Sequence, residues 1–518
     1  MRKLPVALIL LIAVALLGVS APGIEADGSQ VYWVKSYGGS GDEVINDVKV
    51  LPDGSIIAVG STDSTGAGGK DVLVMKFSPE GEVEWAKTYG GNKDDYGNAV
   101  AIADNGDIIV AGGTSSFGAG KSDVWVLRLD ANGNVKWQKT YGGGSNDVAN
   151  AVAVAENGDV IVAGYTESFG ADWKDVWVLR LDGQGNVKWQ KTYGGSYWEK
   201  AFAVAVADNG DVIVAGYTDS FGAGYYDFWV LRLDENGNVK WQKTYGGSGR
   251  DEAHAVALAP NGDIIITGSF TVRLDANGNV IWAKNVGSNA VALVPNGDII
   301  VAGYTESFGA YDDVWILSLD ENGNVKWQKT YGGSDEEEAY AVAVADNGDV
   351  IVAGYTDSFG AGGKDVWVLK LPSSGGVPGC EVCKASNVET AFLGITIGTS
   401  EATISQPSIK VTENIYVYPT PWNPHIETQC AGLRATLNVY STPPESNVYI
   451  NGTYKGKTPL TLNLDPGRYL VKIVKDGYRE YLVNVTLSRG DVKNISVTLQ
   501  QLKIENVWLH VGGKTSNS

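Results

Sequence analysis

Histidine, cysteine and methionine are scarce, with three, three and two residues in a chain of 518. The histidines stand far apart at His254, His425 and His510. They offer no nucleophile–base constellation of the sort that covalent catalysis needs. Basic residues are in deficit, 40 Lys and Arg against 60 Asp and Glu, for a formal net charge of −20. That balance excludes a phosphate-tracking surface, so nucleic acid is not an expected partner. Cations or basic partners fit better, and acidity also aids solubility. Past the first residues, no apolar run is long enough to cross a bilayer. With 44% hydrophobic and 19% charged residues, the chain is expected to form soluble cores rather than stay disordered.

What is present begins with an export signal. Arg2 and Lys3 precede an apolar run of 15 residues, Pro5 to Val19, and Val19-Ser20-Ala21 has the small-residue pattern of a cleavage site, with Ala26 as a second candidate. Residues 1–26 therefore read as a signal peptide, with an uncleaved anchor as the alternative.

Repeats fill residues 31–371. Each unit has four short β-branched and aromatic runs bounded by turn residues, as strands require. The first turn places a glycine at Gly54, Gly106, Gly158, Gly210, Gly262, Gly297 and Gly348. Asn and Gly accept positive φ cheaply, so these are hairpins. Four strands per unit of about 50 residues is the signature of a propeller blade. The last unit stops after its third strand, and Val31–Tyr37 has the pattern of a fourth strand with no third before it. It is expected to complete the seventh blade and close the ring. Small Ala and Val suit an innermost first strand. The third strand is apolar on both faces. The fourth alternates, with Val135, Trp137 and Tyr141 opposite Lys136, Gln138 and Thr140, and reads as an outer strand with one wet face.

These units, such as the stretch from Tyr331 to Thr356, resemble the prokaryotic seven-bladed β-propeller repeat family. The resemblance implies an all-β fold but no single activity.

Acidic residues recur beside the repeats. Glu43, Asp95, Asp147, Glu199, Asp251 and Glu337 each stand six residues beyond a Tyr-Gly-Gly tyrosine. A second set, Asp71, Asp123, Asp175, Asp227, Asp313 and Asp365, opens the third strands. Two readings stand: a carboxylate ring for Ca²⁺ near the channel mouth, or caps on backbone N–H groups of neighbouring loops. No other cofactor is expected. The Asp-x-Asn-Gly-Asn turns lack the length and closing Glu of a calcium loop and read as hairpins.

The loop after the second strand carries Phe117, Phe169, Phe221, Phe308 and Phe359, with Trp173 and Tyr225 among their companions. They read either as a platform for sugars or peptides or as residues packing the loop onto its blade. One unit breaks the pattern: after Gly262 both loops on one face are cut short. The expected notch is flanked by Asp251 and His254, with repeat decay as the alternative.

Residues 372–433 read as a connector. Cys380, Cys383 and Cys430 point to a disulfide with one thiol left over, given export; with His425 they would alternatively hold zinc. Residues 434–500 alternate in short strands split by Pro-Pro, Asn-Gly and Pro-Gly turns. Thr442 to Ser446, Val448 to Gly452, Gly456 to Pro459 and Pro466 to Tyr469 resemble the PEGA domain, although Pro-Glu-Ser stands where the eponymous motif would. That resemblance implies a small sandwich that attaches or spaces surface proteins. Sequons at Asn451, Asn484 and Asn494 lie here and not in the repeats, compatible with a glycosylated surface location. A tail of residues 501–518 follows.

The order signal, propeller, connector, surface module implies a secreted or surface binding and scaffold protein. Its loop face would meet a protein or glycan ligand, and its C-terminal module the cell envelope. The alternative is an extracellular propeller enzyme, polysaccharide-acting or quinoprotein-like. The Trp-Gln-Lys-Thr-Tyr-Gly-Gly stretches faintly resemble quinoprotein blades, yet no vicinal cysteine pair accompanies them.

Overall fold

A computed structural model describes residues 31–171, 173–307, 311–377, 380, 382–385, 396–399, 403–405, 410–412, 420–421, 424–431, 435–464, 467–487 and 492–501. The chain divides into two compact units, Val31–Leu433 and the residues from Arg434 onward. The signal segment lies outside the described residues.

The first unit contains seven antiparallel sheets built on the sequence repeat. The third is typical, with strands Asp147–Val154, Val160–Thr166, Asp175–Leu181 and Val187–Gly194. Its second and third strands are almost wholly buried, because apolar residues on both faces meet a neighbouring sheet on each side. Seven equivalent residues, one per sheet and in or just before its first strand, line a single cavity: Asn46, Asn98, Asn150, Phe202, His254, Asn289 and Tyr340. Seven sheets sharing one axial cavity is a propeller arrangement.

The seventh sheet takes its fourth strand from the start of the unit. Trp33–Gly38 pairs antiparallel with Asp365–Leu371, Trp33 opposite Lys370.

The repeated Trp and Tyr of the fourth strand explain how sheets hold together. Trp137 donates its indole N–H to Gly183 O at 3.0 Å and Tyr141 its hydroxyl to Gly185 O at 2.6 Å, both in a turn of the next sheet. Arg128, on the third strand, binds Asp107 in its own sheet at 2.7 Å and also reaches Gly183 O at 2.8 Å. Gly185 must be glycine: its φ is +76°, and a Cβ there would lie 2.9 Å from the Trp137 ring. The clasp recurs from the seventh sheet to the first, where Trp33 reaches Pro79 O at 3.1 Å and Tyr37 reaches Gly81 O at 2.8 Å. Each hydroxyl bond contributes roughly 1 kcal/mol.

The connector corrects the reading of residues 372–433 and of the fourth strand. It is part of the propeller unit, and in chain order it lays a fifth strand on six sheets. Cys383–Ala385 pairs with the sixth sheet, Thr396–Thr399 with the fourth and Thr403–Ser405 with the third. Lys410–Thr412 follows on the second, Thr420–Pro421 on the first and His425–Ala431 on the seventh. Among the described residues, no fifth strand pairs with the fifth sheet. The fourth strand therefore lacks a wet face along its whole length. Gln138 and Thr140 are buried, while only the opposite end, at Val135 to Trp137, reaches solvent.

The fifth sheet is the shortened repeat. Ile264–Gly268 turns directly into Thr271–Leu274. Phe270 in this turn stacks on Phe228 at 4.0 Å and fills the space between the fourth and fifth sheets. A hydroxyl cluster, Thr267 with Thr271 at 2.8 Å and Ser288 at 2.7 Å, is buried beside this shortened turn.

In the second unit, Ala435–Thr442 lies between Leu460–Leu464 and, in parallel, Val492–Thr498. A four-stranded sheet runs Thr453–Lys457, Asn447–Ile450, Gly467–Val474, Tyr481–Leu487. The two sheets share a core that includes Leu437, Val439, Val448, Val471 and Ile473.

Candidate ligand face and axial channel

The first carboxylate set is tied into the loops. Glu43 accepts from Gly39 N–H at 2.6 Å and from the Thr62 hydroxyl at 2.7 Å. Glu199 does the same with Gly195 and Thr218, and Glu337 with Gly333 and Thr356. Asp147 takes Gly143 N–H, Ser168 and Thr166. Asp95 accepts from Gly91 and Ser116, and Asp251 from Gly247. All but Asp251 are buried, so this set fastens loop to strand instead of opening toward a cation. Among the described residues no group of three or more His, Cys, Asp or Glu is arranged to hold a metal.

The second set packs against the first glycine of Tyr-Gly-Gly. A Cβ on Gly90 would sit 1.4 Å from Asp71 Oδ1 and 3.0 Å from Asp95 Oδ2. Asp71 is 1% exposed, and Oδ1 of Asp71 and of Asp95 have no hydrogen-bond partner. Burial, with Asp95 adding repulsion, pushes the Asp71 carboxyl up to about 6. Asp123 and Asp227 are raised for the same reasons.

The loop phenylalanines lie half-buried on their own blades. Phe117, Phe169, Phe221 and Phe359 pack on Trp125, Trp177, Trp229 and Trp367 with centroids 5.5 to 6.0 Å apart. Phe308 lies outside the described residues. Trp173 and Tyr225 are 59% and 69% exposed.

Three positions per repeat vary in kind, and they meet between neighbouring sheets on the loop side. They are the residue before the Thr that ends the second strand, the residue before the third strand, and the residue before the next sheet's acidic position. Isolated bridges Ser122–Asn146, Lys174–Trp198 and Tyr226–Arg250 mark the last two as equivalent from sheet to sheet. The first two sheets carry small or polar groups there, such as Gly113, Ser122 and Asn146. The third and fourth carry Tyr165, Lys174 and Trp198, then Tyr217, Tyr226 and Arg250. The sixth carries a tyrosine with acids, Tyr304, Asp312 and Glu336, and the seventh carries Tyr355, Lys364 and Asp42, with Lys364 3.6 Å from the Tyr355 centroid. The aromatic sector is continuous. Trp173 meets Trp198 at 6.3 Å, Lys174 lies 4.7 Å from the Tyr165 centroid, and Lys200 lies 5.0 Å from the same centroid. Lys200 pairs in register with Tyr217, which stacks on Tyr226 at 4.4 Å under Arg250.

Below this sector lies the axial cavity of 170 Å³. Asn46, Asn98, Asn150 and Asn289 each donate their amide to a carbonyl of a following sheet at 2.8 to 3.0 Å. Phe202, His254 and Tyr340 replace asparagine at the equivalent positions. His254 packs edge-on to Phe202 at 5.7 Å, and burial pulls its pKa down, keeping the ring neutral at pH 7. In the first sheet alone, Asp47 and Lys49 replace the alanines of the other first strands and pair at 2.8 Å. Asp47 also accepts from Val100 N–H of the second sheet at 2.9 Å.

Cys380 is disulfide-bonded and Cys383 is a free thiol. The side chain of Cys430 lies outside the described residues. A disulfide at Cys380 removes it from a zinc set with Cys383 and His425. Asn451, Asn484 and Asn494 are exposed in the second unit, though Asn451 Oδ1 accepts from Leu470 N–H at 2.8 Å and Asn494 Oδ1 from Asn438 at 2.9 Å.

Sequence reasoning had named Trp173, Tyr225 and His254 in this region. It missed Lys174, Trp198, Lys200 and the Asp47–Lys49 pair. The signal was present: these are the places where aligned repeats disagree.

Residues 434–503 match the model of the PEGA domain, and residues 32–65 match the WD domain, G-beta repeat. The chain is a β-propeller followed by a PEGA domain. It is 26% identical over 257 residues to the regulatory protein FlaEY of Caulobacter vibrioides, across 43% of this chain and 27% of that protein. The chain thus spans about a quarter of that relative's length. Among solved structures, the WD40 propeller domain of Doa1 aligns with 65% of this chain and 96% of its own, at 16% identity and a TM-score of 0.45. BamB from Moraxella catarrhalis aligns with 64% of this chain and 99% of its own, at 15% identity and a TM-score of 0.36.

Proposed function

We propose that this is a secreted or cell-surface binding and scaffold protein whose loop face meets a glycan or protein ligand. The supporting observation is the sector of exposed aromatics on that face: Trp173, Tyr197, Trp198 and Tyr225 are each at least 40% exposed. Large apolar side chains gathered at solvent on rigid loops mark a binding surface more often than an accident of folding.

In this reading the seven sheets form one closed ring of prokaryotic seven-bladed repeat type, fastened by the Trp–Tyr clasp. The N-terminal signal directs export. The PEGA domain, as a small sandwich with its sequons exposed, faces the envelope. The protein binds and does not turn its ligand over. The support for that last point is chemical: the carboxylates nearest the loops are tied into the fold, and His254, partly exposed to the axial cavity, packs on Phe202 with no hydroxyl or thiol paired to it among the described residues.

The test is a glycan array and an envelope pull-down with the propeller unit, residues 31–433. Specific retention of a surface glycan or envelope protein, lost on Trp198→Ala, is expected. Absence of any retained component, or reproducible turnover of a polysaccharide, would replace this reading.

A further inference from the structure

Resting on that reading of the loop face, we infer that Lys174 and Lys200, beside Trp173 and Trp198, form a subsite for a negatively charged sugar. The two ammonium groups stand 4.7 and 5.0 Å from the centroid of one ring, Tyr165. Lys174 also lies 5.7 Å from the Trp198 centroid and pairs with Glu167 at 3.2 Å. Lys200 has no carboxylate within 4.0 Å among the described residues. It is partly buried, and burial together with the Lys174 charge lowers its pKa against the opposing pull of the more distant Glu252 and Glu167 carboxylates. Two cations against one aromatic ring repel each other, and an anion that reaches both lessens that repulsion.

The blade does not require this arrangement. Where Lys200 stands, other first strands have Val44, Tyr96, Val148 and Glu338, and their sheets form the same ladders. The amine is therefore free of a repeated structural duty. The tryptophans supply the second half of the recognition. Trp173 and Trp198 are 59% and 40% exposed and meet at 64°, offering flat apolar faces to the C–H side of a sugar ring. A carboxylate or sulfate on that ring then falls to the lysines. The chain's net charge of −20 does not oppose this, because charges beyond about 8 Å are largely screened at physiological ionic strength.

Intrinsic tryptophan fluorescence of the full chain, titrated with an oligogalacturonate, a sulfated dextran oligosaccharide, cellohexaose and hexaglutamate, tests the subsite. The charged saccharides should bind at least about tenfold more tightly than cellohexaose, and weaken as salt rises from about 50 to 500 mM. Preference between the first two identifies carboxylate or sulfate as the recognised group. Lys200→Met should lose about tenfold for the charged saccharides and little for cellohexaose, as one charge-assisted contact predicts. Lys121→Met, on an exposed loop of the second sheet, should change nothing. Trp198→Ala should weaken all saccharides, which keeps the test readable if Lys200→Met folds poorly. Equal binding of cellohexaose, or wild-type affinity in Lys200→Met, overturns the charged subsite while leaving a glycan face standing. Tighter hexaglutamate binding replaces the sugar with an acidic peptide. Failure of every saccharide removes the glycan reading itself.

Discussion

Asp71 shows what a repeated acid does inside a propeller. Its carboxyl is buried against Gly90 with Asp95 close by, and its pKa rises to about 6. A raised pKa means that the folded state holds the proton more tightly than the unfolded chain. The associated stability is fully present below the unfolded value of 3.8 and is lost as pH rises through about 6. The melting temperature is expected to fall across that window, and Asp71→Asn should flatten the dependence by roughly 1–3 kcal/mol. A calorimetric series in which both proteins track together would rule this out. Gly90→Ala belongs to the same site: its Cβ would sit 1.4 Å from Asp71 Oδ1. Expulsion of a buried carboxylate should cost at least about 2 kcal/mol, measured by denaturant unfolding.

Between strands, the informative unit is the Trp-x-x-x-Tyr clasp and the turn it grips. Tyr141→Phe removes a buried hydroxyl and leaves Gly185 O without that partner, an expected loss of about 1 kcal/mol. Gly185→Ala should lose more, about 1–3 kcal/mol, from positive φ and the approach to Trp137. Chemical unfolding that ranks the two in reverse would show that the turn yields more easily than its geometry implies. The strands themselves were legible from their alternation and turn glycines, as was the donation of Trp33–Gly38 to the last repeat. The fifth strands were not legible. Segments such as Thr403–Ser405 and Lys410–Thr412 are three residues long. They carry too little pattern to read, and their position is dictated by the open sheet edges they meet. The buried state of Gln138 and Thr140 was misread for the same reason.

At the scale of the molecule, the propeller unit and the PEGA domain have separate cores, so calorimetry of the full chain should resolve two transitions. A chain ending at residue 371 would expose six sheet edges and should aggregate, whereas one ending at residue 433 should stay monodisperse by light scattering. Equal behaviour of the two would mean that the added strands are dispensable. The candidate site was half legible at this scale. Exposed Trp173 and Tyr225 could be named from loop composition. The meeting of Lys174, Trp198 and Lys200 depends on one repeat lying beside the next in space, and a motif that repeats draws attention away from the positions that do not.

The last fifth strand has a mechanical consequence. Trp33 lies opposite Ala431 and Gly38 opposite His425, so the polypeptide enters and leaves the propeller at the same end of one strand pair. A pull applied between residue 31 and residue 434 would load that pair as a zipper, one hydrogen bond at a time, and not in shear. Tension would peel His425–Ala431 first, from its Ala431 end. The Trp33 and Tyr37 clasp to the first sheet stands on the loaded strand, so it would resist the same pull as that pair.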